Sequence, residues 1–228
     1  MLLELEHVSG IGKKKFLSDI SFSLPAGYLM GLAGKNGAGK TTLLECMVSR
    51  KKQYSGTIRL NGEDIRADYG KTMQQIGFVS EENPFLLDYT ARQNGEIFGM
   101  AYEKWDMEIF LAQMNRMGVA TGQKVGKLSR GEFIKFQTAF AMAHGSVLYL
   151  LDEATAGMDP VFRREFFGIL HEIIGTEQAS VLMTSHIETE ISQKMDYVAI
   201  LEEGKLVSFG EAGNACKNAV RIVELQNF

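Results

Sequence analysis

Alternating apolar and polar positions at the start of the chain predict two paired strands. Residues 2–8 alternate apolar and charged side chains, residues 10–15 have the composition of a turn, and residues 16–24 alternate again. This arrangement is typical of an antiparallel β-hairpin. The next apolar run, residues 28–33, lacks alternation and ends in glycine-rich sequence, which indicates a strand buried on both faces and followed by a loop.

The remaining pattern alternates strands and helices around one helical stretch. Residues 84–145 contain little strand pattern, and helical spacing recurs there in residues 105–117 and 133–142. Ser129 and Glu132 have the spacing of a capping box before the second of these helices. The other expected elements are a helix from Lys40, a helix over 162–174, and strands near 57–60, 76–79, 147–151, 181–183, 198–201 and 206–209.

This order of elements predicts an α/β fold with a mostly parallel, helix-covered sheet, an N-terminal antiparallel β-hairpin region and an inserted helical subdomain. We expect a single domain over residues 1–228, with its core formed by about 1–83 and 146–228. The helical subdomain would span about 84–145.

Composition and charge narrow the class of protein. The chain has 228 residues, of which 45% are hydrophobic and 23% charged, values of an ordinary globular protein. Its formal net charge of −4 provides no overall attraction for nucleic acid, so no nucleic-acid partner is expected. Cys46 and Cys216 lack the spacing of a zinc site or disulfide framework, which favours a reducing cytosol.

Neither a membrane span nor a secretion signal is expected. The longest uninterrupted apolar runs, residues 147–151 among them, are far shorter than the ~18 residues that a spanning helix needs. Met1 is followed directly by the first strand pattern instead of a signal peptide.

The strongest chemical signal follows the buried strand at residues 28–33. The segment Gly34-Lys35-Asn36-Gly37-Ala38-Gly39-Lys40-Thr41 matches G-x-x-x-x-G-K-[ST] and opens the predicted helix, with Thr42 next to it. Glycines allow backbone N–H groups to surround a triphosphate, and Lys40 can reach the β- and γ-phosphates. Thr41 can offer its hydroxyl to Mg²⁺. The α/β core is therefore predicted to be that of a P-loop NTPase that binds a nucleoside triphosphate and Mg²⁺.

A second chemical signal is a pair of carboxylates after the apolar run at 147–151. Asp152 and Glu153 would stand at the C-terminal end of a buried strand, where a parallel sheet places its ligands. We expect Asp152 to join the Mg²⁺ shell and Glu153 to orient the water that attacks the γ-phosphate.

With three further segments, the sequence resembles the nucleotide-binding domains of ABC transporters over nearly its whole length. Leu128-Ser129-Arg130-Gly131-Glu132 resembles the LSGGQ signature, Ala156-Gly157-Met158-Asp159 resembles the D-loop, and His186 matches the switch histidine. Arg130 and Glu132 depart from the signature. The resemblance implies that Ser129, Gly131, Glu132 and Asp159 contact ATP and that His186 serves hydrolysis together with Glu153, Lys40 and Glu81.

Two further positions differ from the family pattern. Glu81 stands where the family usually has a glutamine that contacts Mg²⁺ and the attacking water, and its added charge is unfavourable beside a triphosphate unless a cation or proton compensates it. Ile11 aligns with the aromatic residue that usually stacks on adenine. Phe16 is an alternative stacking residue, or it belongs to the packed face of the hairpin.

The family resemblance also implies an assembly. Two chains, identical or related, would close head to tail around two ATP molecules, and the dimer would drive a separate transmembrane permease subunit at the cytoplasmic face of the membrane. Export is favoured because little sequence follows Gly210. The permease would contact Glu81 and residues 83–87, unless Phe85 and Leu87 belong to the core of the helical subdomain.

Two other functions remain open at this point. A soluble ABC-type ATPase of an assembly or repair machine would use the same motifs with a soluble client. A P-loop kinase or a nonhydrolysing adaptor is the third interpretation; a kinase should have an acceptor site in place of the signature, and an adaptor should lack Glu153.

Overall fold

A computed structural model describes residues 1–11, 16–81, 84–176, 178–185 and 193–212. Its strands are β1 (Leu3–Gly10), β2 (Ile20–Leu24), β3 (Leu29–Ala33), β4 (Tyr54–Leu60), β5 (Glu63–Asp64), β6 (Ile76–Val79), β7 (Leu148–Leu151), β8 (Ser180–Ser185), β9 (Tyr197–Glu202) and β10 (Lys205–Glu211). Its α-helices are α1 (Lys40–Val48), α2 (Tyr69–Met73), α3 (Ala91–Gly99), α4 (Met107–Arg116), α5 (Arg130–Ala143) and α6 (Pro160–Ile174).

The strands form two sheets. The first has the order β2-β1-β4-β5, and β1 pairs antiparallel with both β2 and β4, which confirms the predicted hairpin. The second has the order β10-β9-β3-β8-β7-β6, with all pairs parallel except β9 with β10. The predicted α/β fold with a mostly parallel sheet is therefore confirmed.

Complete burial of the central strands explains their sequence. Every residue of β3, β7 and β8 is buried, because both faces of this sheet are covered: one by α5 and α6, and the other by α1 and the first sheet. The C-terminal ends of these parallel strands lie at one edge of the sheet. The loops after β3 and β7, which carry the phosphate-binding sequence and the carboxylate pair, consequently emerge at that edge.

The helical stretch has a core of aromatic side chains. Phe85 packs edge-on against Phe136 and Phe140 of α5, with ring centroids 4.7 and 5.3 Å apart. Phe85 therefore belongs to this core. Leu87, the other residue for which core membership was open, is 55% exposed. For Phe85 the structure favours the alternative that the sequence left open, and contact of this segment with a permease stays a prediction.

Of the described helices, none combines the length and apolar character that a membrane crossing requires.

A buried histidine ends α5. His144 is 2% exposed, and its ring stacks on Tyr102 with centroids 4.0 Å apart. Burial lowers the pKa of His144 from its ordinary 6.5 to about 4, although a hydrogen bond to the backbone of Gln74 partly opposes the shift. The ring is therefore neutral in the folded protein at neutral pH.

Acidification should destabilise the fold through this histidine. Between pH 6.5 and 4 the unfolded chain binds a proton at His144 that the folded chain does not, so stability falls as the pH falls. From pH 7 to pH 5 the expected loss is about 2 kcal/mol. Urea unfolding at both pH values should show this loss, and His144→Phe should reduce the pH dependence by that amount. His171→Gln, at an exposed position of α6, is the control; an unchanged slope in His144→Phe would contradict the assignment.

Candidate nucleotide site

The loop between β3 and α1 has a backbone conformation that requires glycine. Gly34 has a φ of 150°, and a Cβ at this position would lie 2.4 Å from the carbonyl oxygen of Leu201. Gly39, with a φ of 108°, is the N-cap of α1 and has no side chain to occupy the helix N-terminus. The first N–H groups of α1 are thus left for a bound anion.

Lys40 is held inside the loop. Its side chain is almost completely buried, and Nζ donates hydrogen bonds to the carbonyl oxygens of Gly34, at 2.8 Å, and Lys35, at 3.2 Å. An ammonium group has three protons to donate, so these contacts orient the group and leave one proton for a phosphate oxygen.

The loop borders a cleft of about 350 Å³, which we call the phosphate cleft. It is lined by Phe16, Asn36, Gly37, Gly39, Lys40, Thr41, Thr42 and Glu153. The structure thus brings together the phosphate-binding sequence and the carboxylate expected to orient water. Gly34, Lys35 and Ala38 are not among the lining residues; Ala38 is buried, and the other two contribute the carbonyl groups that hold Lys40.

The carboxylate pair after β7 is supported by Thr184 of β8. The Thr184 hydroxyl donates to Oδ1 of Asp152 at 2.7 Å and accepts the N–H of Glu153 at 2.8 Å. Thr184 is fully buried, and Glu153 has a φ of 48°, a strained value for a residue with a side chain. Sequence reasoning missed Thr184; its only signal was a hydroxyl within an apolar run.

The negative charge of Glu81 is compensated by a neighbouring cation, Arg130. Nη2 of Arg130 forms an ion pair with Oε1 of Glu81, and the same nitrogen lies 3.5 Å from the carbonyl oxygen of Glu153. Arg130 and Glu81 are both departures from the family pattern, with opposite charge. Their contact was not predicted.

The signature residues line a second cleft of about 240 Å³, which we call the signature cleft. Its lining residues are Ser129, Arg130, Gly131, Glu132, Lys135, Gly157, Met158, Asp159 and Phe162, and it shares none of them with the phosphate cleft. Within one chain, the two groups of expected ATP-binding residues therefore belong to separate clefts.

A capping box holds Ser129 and Glu132 together in the signature cleft. The backbone N–H and the hydroxyl of Ser129 both donate to Oε2 of Glu132 at 2.8 Å, and the N–H of Glu132 donates back to the Ser129 hydroxyl at 3.3 Å. This is the predicted box. The bonds from Ser129 lower the pKa of Glu132, so its carboxylate is charged at neutral pH.

Both residues considered for base stacking lie at the surface. Ile11 is 56% exposed and Phe16 is 42% exposed, and both line a cleft beside Thr42 and Cys46 of α1. Phe16 also lines the phosphate cleft. Its ring is therefore outside the packed face of the hairpin, and the assignment of either residue to a nucleotide base stays a prediction.

Some predicted positions lie outside the described residues. They are Lys13, Lys14, Lys15, Asn83, His186 and Cys216.

The position of Phe16 leads to a prediction about nucleotide selectivity. Every base presents a π-face, so stacking on Phe16 should add affinity without selecting adenine. We expect GTP to be hydrolysed within about tenfold of ATP, and Phe16→Ala to raise the KM for both. Steady-state kinetics with both nucleotides provides the measurement, and Tyr89→Ala, at an exposed aromatic residue outside the described clefts, is the control. A hundredfold preference for ATP would contradict the prediction.

The sequence and the fold match known proteins. The family model described as ABC transporter matches residues 17–156. The chain is 31% identical over 208 residues to the ABC transporter ATP-binding protein YtrB of Bacillus subtilis (strain 168), with 91% of this chain and 71% of the relative covered.

Two further matches agree with this result. The Nod factor export ATP-binding protein I of Burkholderia lata is 30% identical, with 87% of this chain and 67% of the relative covered. A solved structure of an ATP binding subunit of an ABC transporter superposes with a TM-score of 0.85 at 21% identity, covering 98% of this chain and 100% of that one. The chain therefore belongs to the ABC transporter family and is an ATP-binding ATPase of that family.

Proposed function

We propose that this chain is the ATPase subunit of an exporter, that it works as a head-to-tail dimer, and that it drives a separate membrane-spanning subunit. One observation carries the proposal: the phosphate cleft and the signature cleft of a single chain have no residue in common. Two chains related by a two-fold axis can place each signature cleft against the other chain's phosphate cleft. Two complete ATP sites then form at once.

The residues of the phosphate cleft have distinct roles in hydrolysis. Lys40 and the N–H groups at the start of α1 bind the phosphates, and Glu153 orients the attacking water. His186, which lies outside the described residues, is assigned to hydrolysis from the resemblance alone. Since ATP bridges both chains, its hydrolysis removes contacts that favour the closed dimer, and the dimer reopens.

The oxygen groups near the phosphates suit Mg²⁺. Thr41 lines the phosphate cleft, and Asp152 uses one carboxylate oxygen for Thr184, which leaves the other for a cation. Mg²⁺ is bound through hydroxyl, carboxylate and phosphate oxygens, so this donor set fits. We propose Thr41, Asp152 and Glu81 as its protein ligands; when bound, the ion neutralises charge that develops on the phosphates.

The helical stretch, residues 84–145, is proposed as an inserted subdomain that carries the signature and the membrane contact. Leu86 and Leu87 are 40% and 55% exposed and follow Glu81 closely in sequence. Exposed apolar side chains are suited to an interface. We propose that a permease helix docks here at the cytoplasmic face of the membrane; export as the direction is supported by the Nod factor relative.

Replacing Ser129 with arginine should block dimer closure. In a Glu153→Gln background, which preserves bound ATP, Mg·ATP should convert monomers to dimers. Ser129→Arg should raise the dimer dissociation constant at least tenfold, because a bulky side chain would fill the space for the partner's phosphates. Light scattering over a range of protein concentrations measures this. Ser55→Arg, at an exposed position of β4, is the matched control.

Two outcomes would contradict the proposal. Glu153→Gln protein that stays monomeric with saturating Mg·ATP would remove the dimer mechanism. Crosslinking in cells from Leu87 tests the partner: capture of an integral membrane protein supports the transporter subunit, whereas capture of soluble proteins alone would favour an assembly or repair machine.

A further inference from the structure

Arg130 contacts three of the segments that form the nucleotide site. Its guanidinium pairs with Glu81 after β6, and Nη2 lies 3.5 Å from the carbonyl oxygen of Glu153 after β7. Nη1 lies close to the D-loop, where a Cβ added to Gly157 would be 3.3 Å away. Arg130 itself begins α5 within the signature. One cation thus connects the signature with both carboxylate segments of its own chain.

Breaking the ion pair between Arg130 and Glu81 should cost little free energy. The side chain of Arg130 is 42% exposed and that of Glu81 is 65% exposed. Ion pairs at such exposure add little to stability, because water already solvates both charges. A stronger anion that reaches Arg130 could therefore displace Glu81.

The signature cleft needs a cation if it is to receive a phosphate. Glu132 is ionised and lines this cleft, where its charge would repel a triphosphate. Arg130 and Lys135 are the cations among the lining residues, and Nζ of Lys135 lies 4.3 Å from the ring centroid of Phe162. Arg130 directly precedes Gly131, and a guanidinium can bind phosphate oxygens with two N–H groups.

We propose that Arg130 is a phosphate-binding residue that acts on the ATP of the partner chain and is held in the open chain by Glu81. This inference rests on the proposed dimer. On closure, the guanidinium leaves Glu81 for the partner's triphosphate, which releases the Glu81 carboxylate to face the ATP of its own chain. The same exchange offsets the charge of Glu132.

ATP-driven dimer formation in the Glu153→Gln background tests this role. Arg130→Gln should raise the dimer dissociation constant at least tenfold, whereas Lys135→Gln, the matched control in the same cleft, should change it less than twofold. Thermal unfolding should be nearly the same for all variants, because the ion pair is exposed. Equal dimerisation of Arg130→Gln and its parent, or an equal loss in Lys135→Gln, would overturn the proposal.

Glu81→Gln tests whether Glu81 binds Arg130 in the open chain in competition with the partner's phosphates. This change should tighten the ATP-bound dimer about fivefold, which corresponds to about 1 kcal/mol. The tightening should disappear when Arg130 is also replaced by glutamine, because Glu81 acts through Arg130. Equal tightening with and without Arg130→Gln would show that Glu81 repels the phosphates directly. It would overturn the proposal that Glu81 acts by binding Arg130.

Mixing two variants tests action across the dimer. A Lys40→Ala chain and an Arg130→Gln chain, both in the Glu153→Gln background, can form a heterodimer with one complete site only if Arg130 serves the partner. We expect Mg·ATP to favour this heterodimer over both homodimers; heterodimers no tighter than homodimers would overturn the proposal. A parent protein that fails to dimerise would instead refute the proposed function, so the two failures are distinguishable.

Discussion

Replacing Glu153 with glutamine should preserve ATP binding and lower turnover at least a hundredfold. A general base contributes about 10²- to 10⁴-fold to a reaction rate, and glutamine keeps the size of the side chain while removing its basicity. Glu153 lines the phosphate cleft with Lys40 and Thr41, so the carboxylate stands beside the expected γ-phosphate. The defect should therefore lie in kcat with little change in KM.

Phosphate release and equilibrium ATP binding measure the two quantities separately. Glu165→Gln removes an exposed carboxylate on α6 and is the matched control. Near-normal turnover in Glu153→Gln would show that another group activates the water.

Lys40→Ala should produce a different defect, with both binding and turnover reduced. The ammonium group is buried in the loop and bonded to the carbonyl oxygens of Gly34 and Lys35. Its removal takes away the charge that we propose contacts phosphate in the ground state and in the transition state. It also removes the donor to the Gly34 carbonyl, whereas the Lys35 carbonyl still accepts the N–H of Ala38, so the loop itself should bind phosphate less well.

The elements that could be predicted from the sequence are those whose signal lies within a short segment of the chain. Asn61 and Gly62 are a residue pair typical of a tight hairpin turn, and both have the positive φ that such a turn requires, 52° and 79°. Glu203 and Gly204 form a similar turn between β9 and β10, with φ of 46° and 77°. Because glutamate is uncommon at positive φ, the antiparallel pairing of β10 could not be predicted from this sequence.

The parts of the site that lie within contiguous motifs could be predicted from the sequence. The phosphate loop, the carboxylate pair and the capping box of Ser129 each lie within a few residues, and their local geometry follows from their sequence. Contacts between motifs depend on the packing of distant segments. The ion pair of Arg130 with Glu81 joins α5 to the end of β6, and the Thr184 hydroxyl joins β8 to Asp152 across 32 positions.

Thr184→Val should lower turnover about 10- to 100-fold, the loss typical when a group that orients a metal ligand is removed. Valine has the shape of threonine but no hydroxyl. Asp152 would lose the hydrogen bond at 2.7 Å that fixes its carboxylate, and the N–H of Glu153 would lose its acceptor at 2.8 Å. The Asp152 carboxylate would then be free to rotate, and the backbone that positions Glu153 would lose a contact.

Two further variants distinguish a role of Thr184 in positioning the carboxylates from a role in stabilising the fold. Thr184→Ser keeps the hydroxyl and should keep most of the turnover. Thr138→Val removes another buried hydroxyl, which donates to the carbonyl of Ile134 within α5 at 2.8 Å, and should affect stability without affecting kcat. Steady-state kinetics and urea unfolding of all three variants provide the comparison. If Thr184→Val lowers stability but leaves kcat unchanged, Thr184 supports the sheet alone; if kcat falls and serine restores it, the buried hydroxyl sets the position from which Asp152 and Glu153 act.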